Sequence, residues 1–151
     1  MIELNFKQVP PSEMPQVYEA VKVGTVAQIE KAFGWDEDFQ QARFKRSYQS
    51  EWFRWIQVKS ERIGLVCYRF HANNMHLHYL VLFPKFQQQG YGTHAMNQLH
   101  SLARLHESDG VTLSCFKQDK VAISFYKRLG YKVKHREQHF LLMSRSVAVY
   151  R

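Results

Sequence analysis

Residues 80–95 read LVLFPKFQQQGYGTHA. An apolar run closes at Pro84, three glutamines follow, and Gly90 and Gly92 stand two apart where the sequence turns helical. The first N–H groups of a helix lack intrahelical acceptors, and a glycine without a side chain lets an anion approach them, so this stretch suits a phosphate. Gly90 to Ala95 also satisfies G-x-G-x-x-A, the relaxed dinucleotide fingerprint. Its surroundings argue against that reading. The fingerprint belongs on the first strand of a parallel βαβ unit, with an acid about twenty residues on. Here a β-rich meander precedes the glycines, and Glu107 and Asp109 fall before the next strand rather than at its end.

Working outward, IELNFKQV (2–9) alternates as a first strand and stops at Pro10-Pro11. Ser12 offers an N-cap for a helix running to Phe33, with Gly24 as a break or kink and Gly34 as the stop. WDEDFQQARFKRSY (35–48) reads as a second helix, its opening acids Asp36, Glu37 and Asp38 suiting a positive N-terminus. WFRWIQVK, RIGLVCYRF and MHLHYLVLF then form a meander of antiparallel strands. Beyond the glycines, Ala95, Leu99, Leu102, Ala103 and His106 recur at three and four, which predicts a helix from about Gln89 to about Ser108. VTLSCF is a buried strand, and DKVAISFYKRL a helix with Ala122, Phe125 and Leu129 on one face and Gly130 as its stop. YKVKHRE and FLLMSRSVAVY (140–150) close the chain as two strands.

The 151 residues suffice for one domain with its own core. No run approaches the roughly 18 apolar residues of a membrane span, and MIELNFKQVPP lacks a signal-peptide layout, so a soluble cytoplasmic protein is expected. Cys67 and Cys115 lie in apolar runs and read as buried reduced thiols. The charge of +8 is uneven: residues 1–75 hold 10 basic and 9 acidic side chains, residues 76–151 hold 11 and 4. A polyanion, a ligand with several phosphates or simple solubility would each account for the basic half. A nucleic-acid role rests on charge alone, because no basic helix carries interleaved base-reading residues.

LVLFPKFQQQGYGTHAMNQL resembles motif A of the GNAT N-acetyltransferase superfamily, an apolar strand, V-x-P, then Q/R-x-x-G-x-G/A and a helix. Gln87, Gly90 and Gly92 fill the marked positions. DKVAISFYKRLGY is similar to motif B, matching at Ala122, Phe125, Tyr126, Leu129, Gly130 and Tyr131. The resemblance spans roughly residues 76–131. It implies an α/β fold of the α+β type, with a mixed, mostly antiparallel sheet of six to seven strands flanked by about four helices. It also implies acetyl-CoA as the cofactor, its pyrophosphate on the amides of Gln87, Gln88, Gln89, Gly90, Tyr91, Gly92 and Thr93. The pantetheine arm would lie along the strand at Leu80 and Leu82, with Asp119, Ala122, Phe125 and Tyr126 along its course. Lys85, Lys117, Lys120 and Lys127 are candidates for the 3′-phosphate, or ordinary solvated lysines.

Acetyl transfer to an amine needs a neutral amine, a stabilised oxyanion and a protonated leaving thiolate. The family places a backbone N–H near Leu82 against the thioester carbonyl and a general acid at the position of Tyr126. It often has a glutamate base four residues before the V of V-x-P; His78 stands there instead, with His76 on the same strand face. An imidazole of ordinary pKa about 6.5 suits base work near neutrality, so His78, His76 or a water chain serve as alternatives, beside two purely structural histidines. No further ligand at metal-binding spacing accompanies the H-x-H pair, and no metal is expected. Asp119 departs from the family's asparagine and cannot donate as an amide does.

For the acceptor, a small-molecule or peptide amine, FGWDEDFQ supplies Phe33, Trp35, Asp36, Asp38 and Phe39, where aromatics beside carboxylates suit an ammonium; the same residues also make an amphipathic helix start. The expected function is acetyl-CoA-dependent N-acetylation by direct attack. The alternative is a CoA-binding sensor of the same fold without turnover. Neither nucleic acid nor membrane is expected as a partner, and a homodimer is left open.

Overall fold

The computed structural model describes residues 3–148. Its strands are β1 (Asn5–Gln8), β2 (Phe53–Val58), β3 (Glu61–His71), β4 (Asn74–Leu82), β5 (Gly110–Phe116), β6 (Lys132–Arg136) and β7 (Phe140–Ser146). Its helices are α1 (Met14–Phe33), α2 (Glu37–Ser47), α3 (Tyr91–Leu105) and α4 (Lys120–Arg128). The strands order as β1-β2-β3-β4-β5-β7-β6, with β4 and β5 parallel and β1-β2, β2-β3, β5-β7 and β6-β7 antiparallel. This is the mixed, mostly antiparallel sheet with four helices that was expected. The ends placed at Ile2 and at Val149 and Tyr150 lie outside the described residues. Among those residues no helix is long and apolar enough to cross a membrane.

Contacts divide the chain into two compact units, neither of them one continuous segment. The first takes in the chain to Cys67 together with Tyr79–Gly92; the second takes in Tyr68–His78 and the chain from Thr93.

In the first unit, Val17, Ala20 and Val21 of α1 and Phe44 of α2 pack on Phe53, Trp55, Leu65 and Cys67. The spacing of 17, 20 and 21 puts one stripe of α1 on the core, and each buried valine or phenylalanine there contributes about 1.5–3 kcal/mol. Two sequence expectations need correction here. Ser12 does not open the long helix: a 3-10 turn at Pro11–Glu13 comes first, and α1 begins at Met14 without a side-chain cap. Gly24 does not break α1, which runs through it. Its small size serves packing instead, because a Cβ at Gly24 would stand 2.7 Å from Cγ2 of Val81. Gly64 meets a harder limit, since an added Cβ would lie 2.2 Å from the Val81 carbonyl oxygen.

In the second unit, α3 buries Ala95, Met96, Leu99, His100 and Ala103. The helix is shorter than the periodicity suggested, Tyr91–Leu105 rather than Gln89–Ser108. Gln88 and Gly90 before it, and Glu107 after it, have φ of +61°, +86° and +58°, all outside the right-handed helical region. Strand β5 pairs with β7 along its whole length, but its parallel ladder with β4 covers only Asn74–Leu77 against Gly110–Leu113. Both cysteines are buried thiols outside any disulfide, as expected.

Candidate active site

The glycine turn follows β4 in the first unit. A 3-10 turn at Pro84–Phe86 spends the N–H groups of Phe86 and Gln87 on the carbonyls of Phe83 and Pro84. Two of the glutamines fasten the loop: Gln87 Nε2 donates to the Leu82 carbonyl at 2.9 Å and Gln89 Nε2 to that of Lys85 at 2.8 Å. Gln87 to Gly90 are all exposed. A Cβ at Gly90 would meet nothing within 4 Å, so the space beside this left-handed residue is open. The first-turn amides of α3 follow immediately and have no intrahelical acceptor. An exposed turn with open space and unspent amides fits a pyrophosphate. The motif glutamine Gln87 therefore acts through its side chain on the loop, a role that the sequence reading had not given it.

In the second unit, His76 and His78 point to one side of β4, both half-buried, with ring centroids 4.7 Å apart. His76 Nδ1 lies 2.7 Å from Oγ1 of Thr112. Burial, reinforced by His76 and Arg69, pushes the His78 pKa down to about 4, and burial lowers that of His76 as well. Both imidazoles are thus neutral at pH 7, their pKa values below the ordinary one on which their choice as bases rested.

Tyr126 on α4 is half-buried and packs edge-on against Phe125 and Tyr131, at 5.0 and 5.6 Å between centroids. Its hydroxyl bonds to no described residue, yet no buried polar side-chain atom there is left unpaired, so this oxygen reaches solvent. Burial first, then Cys115, Tyr131 and Asp119, raise its pKa and hold the proton on. Tyr131 differs: its hydroxyl lies 2.7 Å from Nε2 of buried His100, whose Nδ1 faces the Arg145 guanidinium. A guanidinium only donates, so Nδ1 accepts and Nε2 carries the hydrogen bonded to Tyr131. Asp119 caps α4, accepting from the Ala122 N–H at 3.1 Å, a role that an asparagine oxygen fills equally well. Ala122 and Phe125 are half-buried on α4.

The acceptor candidates behave differently. Asp36 caps α2 by accepting from the Phe39 N–H, while Phe33 and Phe39 are 59% and 55% exposed. Trp35 Nε1 donates to Glu37, which also accepts from Tyr18 at 2.6 Å, from Gln41 and from Lys22. Those bonds, that of Lys22 foremost, bring the Glu37 pKa down to about 2. The 390 Å³ cavity of this unit, between Met14, Tyr18, Phe44 and Tyr48, is lined by none of Phe33, Trp35, Asp36 and Phe39. Glu37 as a hub was not read from the sequence, because Tyr18 and Lys22 come from a preceding helix at no fixed spacing.

The family model for the acetyltransferase (GNAT) family matches residues 15–131. The chain belongs to the GNAT family. Solved structures agree in fold. The PaiA N-acetyltransferase of Thermoplasma acidophilum, in complex with coenzyme A, is 16% identical over 96% of this chain and 99% of that one, with a TM-score of 0.75. Ard1 of Thermoplasma volcanium is 16% identical over 97% and 99%, at 0.71. The ribosomal-protein-S18-alanine N-acetyltransferase of Escherichia coli is 15% identical over 100% and 97%, at 0.67. No curated protein matches the sequence. As a GNAT N-acetyltransferase the protein uses acetyl-CoA, and the geometry of the glycine turn suits that cofactor's pyrophosphate.

Proposed function

We propose that this GNAT enzyme transfers the acetyl group of acetyl-CoA directly to the amine of a small molecule, amino acid or peptide, with the whole chain acting as one acetyltransferase domain. Acetyl-CoA supplies the activated acyl group and a thiol leaving group. The amides from Gln88 to Thr93 hold its pyrophosphate, the Gln87 N–H being spent on Pro84, and Leu80 and Leu82 lie along its pantetheine arm. The observation that carries the reading is the Tyr126 hydroxyl. A phenol kept protonated, open to solvent and bonded to no described residue is an acid in reserve rather than a core tyrosine satisfying a neighbour.

His78, backed by His76, stands at the base position. Imidazole with a pKa of about 4 is a weak base toward an ammonium of pKa about 10.4, so the amine sheds its proton chiefly through water and His78 receives it only in relay. Thiol release measured against a panel of amines tests the proposal. Turnover with at least one amine, together with a large kcat loss in Tyr126→Phe at unchanged acetyl-CoA affinity, supports it. Binding of acetyl-CoA without acetylation of any amine would give way to the sensor reading.

A further inference from the structure

One face of the second unit's sheet carries a polar row. His76 is in register with Thr112 across β4 and β5, Thr112 with Ser144 across β5 and β7, and Ser144 with Lys132 across β7 and β6. Residues opposite one another on neighbouring strands point to the same side, so the four side chains share a face. Asn74, Gly110 and Ser146 form the next row. A 570 Å³ cavity opens on these rows, walled by Asn74, Thr112, Ser144, Ser146, Lys132 and Lys134, with Asp109 and Arg145 also in its lining.

The charges in this wall are not balanced. Neither Lys132 nor Lys134 makes an ion pair or hydrogen bond with another described residue, and both are exposed. Arg145 bonds the neutral ring of His100 rather than a carboxylate. Asp109 is the one acid in the lining. With the Arg145 guanidinium turned to His100, two lysine ammonium groups against one carboxylate, with three hydroxyls and an amide among them, make a surface for an oxyanion, since ammonium and hydroxyl groups donate to it together.

The cavity also connects to the proposed chemistry. Thr112 in its wall bonds His76, whose ring meets that of His78. His78 lies two residues along the strand, about 7 Å further on. Gly110 begins β5, whereas Asp119, where the family resemblance brings the pantetheine, follows its far end, about 20 Å away along the strand; Gly130, just beyond the C-terminus of α4, belongs to the cavity's lining. The cavity therefore lies on the histidine side of β4 and at the end of β5 opposite Asp119.

We infer that this cavity binds the anionic group of the acceptor, so that the enzyme's substrates are amines carrying a carboxylate or phosphate several bonds from the reacting nitrogen. The inference rests on the proposed function, because it takes His78 to mark the amine. Matched acceptors test it: lysine against cadaverine, ornithine against putrescine, and phosphoethanolamine against ethanolamine. The anionic member of at least one pair should show a kcat/KM about tenfold or more higher, and the pair with the larger ratio identifies carboxylate or phosphate as the group read.

The double variant Lys132→Glu and Lys134→Glu should raise KM for that acceptor at least about tenfold, leaving its neutral partner and CoA affinity unchanged. If charge reversal prevents folding, Lys132→Gln with Lys134→Gln reads out the same split. Equal kcat/KM within every pair, or equal losses for charged and neutral acceptors in the variants, overturns the inference while leaving the N-acetyltransferase reading intact. Failure to acetylate any amine removes both.

Discussion

The turn from Gln87 to Gly90 and the segment from Trp35 to Phe39 both attracted attention as sequence, one for its glycines and one for its aromatics and acids. Their hydrogen bonds separate them. In the turn, side chains bond backward to Leu82 and Lys85, and the space beside Gly90 is left open. In the segment, Asp36 is committed to the Phe39 amide and closes the start of α2, while Glu37 takes four donors, two of them from α1, and fastens α2 to it. Polar groups already paired inside a fold have little to offer a ligand, and those left open mark where one fits.

The contrast is sharpest between two tyrosines five positions apart in sequence, Tyr126 with a hydroxyl that bonds to no described residue and Tyr131 bonded to His100. Tyr126→Phe should lower kcat by about 10² to 10⁴ with little change in acetyl-CoA affinity, as steady-state kinetics and calorimetry would show. Tyr131→Phe should leave turnover near normal but lose about 1–3 kcal/mol of stability by stranding the buried His100 N–H. Reversed outcomes would exchange the two roles.

The open turn itself is broken by Gly90→Glu, which adds a negative charge beside the phosphate site at a φ of +86°. CoA affinity measured by calorimetry should fall about 100-fold or more, about 2.8 kcal/mol. Gly90→Ala brings the same backbone strain without the charge, about 1–2 kcal/mol spent on folding, so its CoA affinity should stay within a few-fold. Equal loss in both variants would make the effect one of loop conformation.

The pH dependence of stability sharpens the comparison further. His100 has a folded pKa near 4 against an ordinary 6.5, lowered by burial first and by Arg145 next. As pH falls below 6.5 the unfolded chain takes up this proton and the native chain does not. Stability present above pH 6.5 is therefore lost progressively down to about pH 4, with a slope of at most about 1.4 kcal/mol per pH unit from this group. His100→Gln should flatten that part of the denaturation profile. Glu37 acts in a lower window: its contribution is present above the unfolded value of 4.5 and disappears as pH falls toward 2. Glu37→Gln should remove that acid-side loss and lower the melting temperature at neutral pH, by differential scanning calorimetry.

The smallest effects belong to Phe33→Ala and Phe39→Ala. With more than half of each side chain exposed, the change in stability should stay within about 0.5 kcal/mol. A rise in acceptor KM with either variant would restore this segment as an acceptor wall, and an unchanged KM would leave it to helix capping.

The strands, helices and glycine turn were legible because they depend on local rules. Alternation of period two, apolar repeats at three and four, and glycine stops at Gly34 and Gly130 each follow from backbone sterics within a few residues. Asp36 and Asp119 show where that legibility fades. Each is a good N-cap by sequence, but whether a carboxylate caps a helix or faces a ligand depends on which way its side chain turns. Gly24 was misread for a related reason. Helix propensity gives a glycine a cost of about 1 kcal/mol, while its benefit, the close approach of Val81, comes from a residue 57 positions away.

By itself, then, the chain's sequence determined the order of its elements, the acetyltransferase family and the place of the glycine turn, all of which are written in contiguous residues. Tertiary structure decided the rest. It lowered the pKa of His78 through burial, gave Tyr131 a partner and left Tyr126 without one, and brought His76, Thr112, Ser144 and Lys132 into one row from four strands. Desolvation, pairing and strand register arise between residues distant in sequence, so no local pattern of residue types encodes them.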